Sequence, residues 1–341
     1  MKNYEIWTPP RASVRLHNHF HVELIDAKSR AVVREAEAYN VVTNEGRKAL
    51  AGNGTLSSSA MNFMGGCVVG SGTSTPAPTD TTLAQQRSYA ETATSAQVES
   101  YTQYMADEAN QVWWMRRKYQ FSETVANYTL GEVGLYNAYN PNGQSANNPS
   151  PYTVYTRALF RDANGNPITV TKTGSQIMTI TATVYLTRGT ADTNMVLLDK
   201  WFTNQVKGTS NQYVGVRLGN GTATPSRSDT TLSGTEVAAK YGSYGASFTI
   251  NRQWWDGTAW TTTRPTGKDY VTSYSVDWDL AECNVTFSEL FWYQMGGYGS
   301  SNATTDNVLL HMVFPCGNVT QSSYTKTNQV KLRQYFELVW G

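Results

Sequence analysis

Two stretches of this chain are written almost alike. GSGTSTPAPTDTTL runs from 70 to 83 and GNGTATPSRSDTTL from 219 to 232, an offset of 149, with nine of the fourteen positions identical. Chance does not easily give that, so the whole chain of 341 residues is read as an internal duplication. A chain of this length is comfortable for two domains.

The echo continues in one order. TLGEVGLYNA (129–138) is answered by TFSELFWYQM (286–295), which sets Glu132 on Glu289 and Tyr136 on Tyr293. RALF (157–160) is answered by HMVF (311–314), and Thr171-Lys172-Thr173 by Thr325-Lys326-Thr327. The offset drifts from 149 to 157 and back to 154, as small loop insertions would make it.

The local patterns read as strands. From Ile177 to Tyr185, Ile180, Ala182 and Val184 alternate with threonines, the period of a half-buried strand. Val330 to Phe336 alternates less cleanly. Turn signals punctuate the chain at Asn142-Gly143, Asn164-Gly165 and Asp256-Gly257. With 21 Tyr, 10 Trp and much Thr, the composition is that of an all-β protein. The expected fold is an N-terminal strand pair (1–42; Val14 to Asp26 and Arg30 to Tyr39 about the turn Asp26–Ser29) followed by two tandem antiparallel β-sandwich modules, 43–190 and 191–341. A short lead-in helix is expected before each module. The first, near Thr43 to Gly52, has a Thr or Asn cap; the second, Asp192 to Gly208, has Leu197, Leu198 and Trp201 at helical spacing.

Charge excludes some classes. The net charge is +1 and charged residues make up 16% of the chain, so no basic surface for nucleic acid is expected. No run of 18 apolar residues suggests a membrane span, and the opening MKNYEIWTPPRASVRLHNHF lacks the apolar core of an export signal. Three cysteines, Cys67, Cys283 and Cys316, form no paired motif and read as reduced thiols.

The lead-in with VTNEG, then VGSGTSTPAPTDTTLA, GEVGLYN, RALF and PITVTKT resembles modules of tailed-bacteriophage virion proteins of the tail-collar, fibre-attachment and baseplate type. The first copy carries the likeness at Asn40, Thr43, Asn44, Gly46, Gly70, Gly72, Thr73, Asp80, Leu83, Glu132, Gly134, Leu135, Lys172 and Thr173. The second keeps Gly219, Gly221, Thr222, Asp229, Leu232, Glu289 and Lys326, and has Phe291 for Gly134 and His311 for Arg157. The resemblance implies a non-enzymatic part of the virion, in the tail or neck region, made in the host cytoplasm. Its expected partners are other virion proteins and further copies of itself, in a ring or trimer. No cofactor, nucleic acid or membrane partner is implied. A head decoration or head-fibre protein is the alternative placement, and a glycan-binding receptor module the alternative function.

Four features compete for chemistry. Glu132 with Lys172, and Glu289 with Lys326, read as an acid and its tuning partner, as a structural ion pair joining two strands, or as contacts to the neighbouring copy. His17, His19 and His21 share one face at strand period and form either a metal face or an exposed polar face. Trp113-Trp114 and Trp254-Trp255 with Trp260 suggest a sugar platform or a subunit interface, with one Trp of each pair turned to the core. The basic run Met115-Arg116-Arg117-Lys118 reads as a solvated strand end or an interface charge. The glycines of GSGT and GNGT read as positions needing positive φ at a turn or bulge, and Asp80 and Asp229 as caps of a short helical turn or as closing an Asx-turn.

Overall fold

The structure, a computed structural model, describes residues 4–7, 12–51, 63–91, 103–107, 112–136, 152–190, 194–198, 213–226, 228–241, 254–255, 260–261, 263–295 and 308–341. Among these the chain is mostly β, with one helix. The turns at Asn142-Gly143 and Asp256-Gly257 lie outside the described residues.

The N-terminus gives β1 (Tyr4–Trp7), β2 (Ala12–Asp26) and β3 (Val32–Tyr39). β2 and β3 form the expected antiparallel hairpin. Asp26 closes its turn by accepting hydrogen bonds from the Ser29 N–H and hydroxyl, and Arg30 takes a positive φ of 61°.

The first copy follows: β4 (Val41–Val42), α1 (Asn44–Leu50), β5 (Gly66–Gly70), β6 (Gln86–Glu91), β7 (Gln103–Asp107), β8 (Val112–Phe121), β9 (Thr129–Leu130), β10 (Glu132–Tyr136), β11 (Val154–Leu159), β12 (Val170–Thr171) and β13 (Gln176–Thr190). α1 starts as its sequence says, with the Thr43 hydroxyl accepting from the Gly46 N–H at 3.1 Å. The second copy gives β14 (Met195–Leu197), β15 (Tyr213–Gly219), β16 (Glu236–Tyr241), β17 (Trp254–Trp255), β18 (Trp260–Thr261), β19 (Val271–Trp278), β20 (Thr286–Phe287), β21 (Glu289–Met295), β22 (Val308–Val313), β23 (Tyr324–Thr325) and β24 (Lys331–Trp340).

The duplication is visible as topology. The first copy has a five-stranded sheet in the order β4-β11-β10-β5-β6; the second has β14-β22-β21-β15-β16, the same path. Each copy adds a two-stranded ribbon, β9–β12 and β20–β23. Each sends an aromatic strand and a final strand, β8 with β13 and β19 with β24, into one eight-stranded sheet.

That large sheet corrects two expectations. The N-terminal segment is not set apart: β2 pairs with β13 along its whole length and with β24 over Ala12–Val14, so it joins the last strands of the two copies. The sheet is also not wholly antiparallel, since β1 and β2 both run parallel to β24. The second lead-in is corrected as well. Met195–Leu197 is a strand laddered to β22, so pairing to a waiting sheet edge overrides the helical spacing of Leu197 and Leu198. Trp201 and the rest of that segment lie outside the described residues.

Faces follow from alternation. Ile180, Ala182 and Val184 are buried as expected, in one core with Phe20, Val22, Met115 and Tyr119 of the large sheet. Val69, Val133 and Leu135 of the first five-stranded sheet, and Leu218, Leu290 and Trp292 of the second, belong to the same core. The opposite faces of the five-stranded sheets carry smaller clusters, Leu83 with Tyr89, Tyr136 and Tyr152, and Leu232 with Val196, Leu198 and Phe291. Leu83 and Leu232 end the two repeated stretches, so each repeated loop caps the outer face of its own sheet.

Candidate functional site

The most organised polar centre lies under that loop in the first copy. Glu132 opens β10 and is fully buried. Its Oε1 accepts from the N–H groups of Gly72 (3.0 Å) and Gln85 (2.8 Å), and its Oε2 from the Ala84 N–H (3.1 Å) and Arg157 Nε (2.8 Å). Arg157 sits diagonally across the β10–β11 ladder, opposite Gly134. Its other nitrogens donate to Asp80 Oδ2 at 2.7 Å and to the carbonyl and hydroxyl of Ser74, both at 2.9 Å. Asp80 also closes its own turn by accepting the Ala77 N–H at 2.8 Å. Burial works against the Arg157 charge, but hydrogen bonds to Asp80 and Glu132 more than offset it.

The glycines are there for closeness, not for positive φ. A Cβ on Gly70 would lie 2.6 Å from Glu132 Oε1, and one on Gly72 only 2.3 Å. Neither has a positive φ, which corrects half of that expectation; the bulge half holds, since the β5–β6 register shifts between Val69 and Gly70.

The second copy repeats the centre with a histidine in the arginine's place. Glu289, also fully buried, accepts from the N–H groups of Gly221 (3.2 Å), Ser233 (2.8 Å) and Gly234 (2.7 Å) and from the Ser233 hydroxyl (2.7 Å). His311 stands where Arg157 stands, opposite Phe291, with Nε2 3.2 Å from Glu289 Oε2 and Nδ1 2.6 Å from Asp229 Oδ2. Both ring nitrogens face carboxylates. Burial opposes ionisation of Glu289; the bonds from Ser233, Gly234 and His311 outweigh it and hold the carboxyl below its usual range.

The lysines are elsewhere, which corrects the ion-pair reading. Lys172 Nζ donates to Asn127 Oδ1 at 2.8 Å, and Lys326 Nζ to Asn284 Oδ1 at 3.1 Å and the Asp279 carbonyl at 2.7 Å. Each asparagine follows a residue with positive φ, Ala126 at 60° and Cys283 at 53°. Burial pushes the Lys172 ammonium down to about 8, opposed by Glu123, and lowers Lys326 in the same direction.

The histidines do share one face of β2. His17 stacks on Tyr185 with ring centroids 4.7 Å apart. His19 Nε2 and His21 Nδ1 both meet the Glu37 carboxylate from β3, the latter at 2.8 Å. The three do not converge on a point. Trp113 is core and Trp114 half-buried on the outer face, with the Arg116 guanidinium 5.0 Å from its ring centroid. Arg117 is buried, not solvated, and donates to the Met64 carbonyl at 2.8 Å. Trp254–Trp255 and Trp260–Thr261 form a two-stranded ladder, and the side chains of Trp254, Trp255 and Trp260 lie outside the described residues.

Compared with protein-family models, with curated proteins and with solved structures, the chain matches none. The chemistry therefore rests on the geometry. A carboxylate filled by four donors has no lone pair left for a substrate proton. Sequence reading missed Arg157 as the partner of Glu132 although it had set Arg157 on His311, and it missed Asn127 and Asn284. The signal for the asparagines was present, since Asn127-Tyr-Thr-Leu and Asn284-Val-Thr-Phe occupy equivalent places before the Glu-led strands.

Proposed function

We propose that this chain is a non-enzymatic structural component of a tailed-phage particle, made of two tandem β-sandwich modules (43–190 and 191–341) that share the N-terminal strand. Its place is the tail, neck or baseplate region, as an adaptor or fibre-attachment protein that assembles symmetrically with further copies and other virion proteins.

One observation carries the reading. The same buried carboxylate centre occurs in both copies, filled by backbone donors of the repeated loop and one internal side chain, Arg157 or His311. Such a centre fixes the loop to the sheet and keeps its geometry; it offers nothing to turn over a substrate. Replacement of Arg157 by His311 with the acceptors retained is what a duplicated scaffold tolerates, and divergence elsewhere fits two modules facing different neighbours. The outer face of the large sheet adds contact area at low entropic cost, with His17, Tyr185, Trp114 and Arg116 set side by side on β2, β13 and β8. The same aromatic row supports the second reading, glycan binding, which stacks sugar rings on such residues.

Sedimentation velocity of the purified chain across micromolar concentrations tests the assembly reading. Discrete symmetric oligomers or concentration-dependent growth are expected. A clean monomer at every concentration, with a glycan-array signal, would favour the second reading instead.

A further inference from the structure

The hairpin β2–β3 carries a cluster that the buried centres do not use. Glu23 and Glu35 are register partners on neighbouring strands, and like charges directly opposite each other destabilise a ladder. His21 comes two residues before Glu23 on the same face of β2. Its Nε2 lies 3.9 Å from Glu23 Oε1 and 3.9 Å from Glu35 Oε1, and the three ligand atoms fall within 4.8 Å of one another.

The surroundings orient these atoms. Glu37 Oε1 lies 2.8 Å from His21 Nδ1 and accepts its proton, so Nε2 is the nitrogen on the side of the two carboxylates that a metal would take up. That is the carboxylate–histidine arrangement that sets a metal-binding imidazole. Glu23 is held from behind as well, its Oε2 accepting from the Thr179 hydroxyl at 2.8 Å, so that Oε1 faces His21. Glu35 is exposed and free to close the remaining gap. Ligand atoms around zinc at ordinary bond lengths stand about 3.4 Å apart, so each histidine contact must contract by about half an ångström and the two glutamate oxygens by up to about 1.4 Å.

We propose that His21 Nε2, Glu23 and Glu35 form a surface site for a divalent first-row transition metal, zinc foremost, with Glu37 and Thr179 as positioning residues. One imidazole and two carboxylates suit zinc better than magnesium, which prefers an all-oxygen octahedron. Three ligands on one strand pair leave the fourth corner open to water or to a side chain from a neighbouring molecule. His17 takes no part, being stacked on Tyr185. The inference does not depend on where the protein works.

Isothermal titration of the full chain with zinc chloride in a non-chelating buffer tests it. One zinc per chain at micromolar affinity is expected, with magnesium at least a hundredfold weaker. His21→Ala or Glu35→Gln should abolish the heat, and Glu37→Gln should weaken binding about tenfold or more, while His17→Ala leaves it unchanged. All four sites lie on an accessible strand face, and circular dichroism checks that each variant is folded. No zinc binding below millimolar concentration, or binding that survives His21→Ala and fails in His17→Ala, overturns the proposal.

Discussion

Glu132→Gln isolates the buried centre with almost no change in volume. The carboxylate receives two donors on each oxygen: Gly72 and Gln85 on one, Ala84 and Arg157 on the other. A carboxamide keeps one acceptor oxygen and turns an NH2 group towards the other pair. Whichever way it sits, two buried donors lose their acceptor, at about 1–3 kcal/mol each. Arg157 also loses a fully buried counter-charge, and breaking such a pair costs about 3–5 kcal/mol. The two costs overlap, and Arg157 keeps Asp80, so the expected loss is about 3 kcal/mol, at the low end of that range. In urea unfolding followed by circular dichroism, a slope of about 3 kcal/mol per M lowers the midpoint by about 1 M. The control is Glu236→Gln, which removes a partly exposed ion pair to Arg217 at 3.3 Å and should cost no more than about 1 kcal/mol. If both variants lose the same small amount, the buried carboxylate does not hold the loop, and the reasoning fails.

Three further predictions come from the same geometry. Gly72→Ala places a methyl group 2.3 Å from Glu132 Oε1 and should cost about 2–3 kcal/mol in the same titration, whereas a flexible-loop role predicts almost no loss. His311→Arg alone should overpack against Phe291, whose ring centroid is 5.3 Å away, and lose about 1–3 kcal/mol. Combined with Phe291→Gly, the first copy's pairing of residues, the two losses should be less than additive, and strict additivity in the double-mutant cycle would refute the equivalence of the two centres. Lys172 has its ammonium lowered to about 8 by burial, opposed by Glu123. The unfolded chain then binds the extra proton between about pH 8 and the ordinary lysine range, so this group adds stability as pH rises through that window. Lys172→Met should flatten that rise in thermal melts, and an unchanged pH profile would contradict the burial of the amine.

Much of this was legible in the residues, for identifiable reasons. The repeated GSGT and GNGT stretches, Glu132 and Glu289, and the TKT-led final strands stood out because both copies need them in the same places. The faces of β13 followed from alternation alone. What was hidden is non-local. Arg157 reaches Glu132 diagonally across a ladder, 25 residues along the chain, and no spacing rule points to it over Lys172. The lysines lie nearer in character to a partner than in space, and their asparagines were overlooked because an Asn before a strand reads as ordinary turn chemistry. Met195–Leu197 fits both a helical and an extended pattern, and the edge of β22 decided it. The role of β2 depends on two strands 150 residues or more away in sequence meeting on its flanks, which only the folded chain reveals.

The most direct test of the proposed role is cryo-electron microscopy of purified particles, with this chain built into the density. The account predicts a symmetric ring or fibre anchor on the tail, neck or baseplate, with the His17–Tyr185–Trp114 face of the large sheet against a neighbouring subunit. Absence of the chain from the particle, or its presence only as scattered copies on the capsid shell, would contradict it.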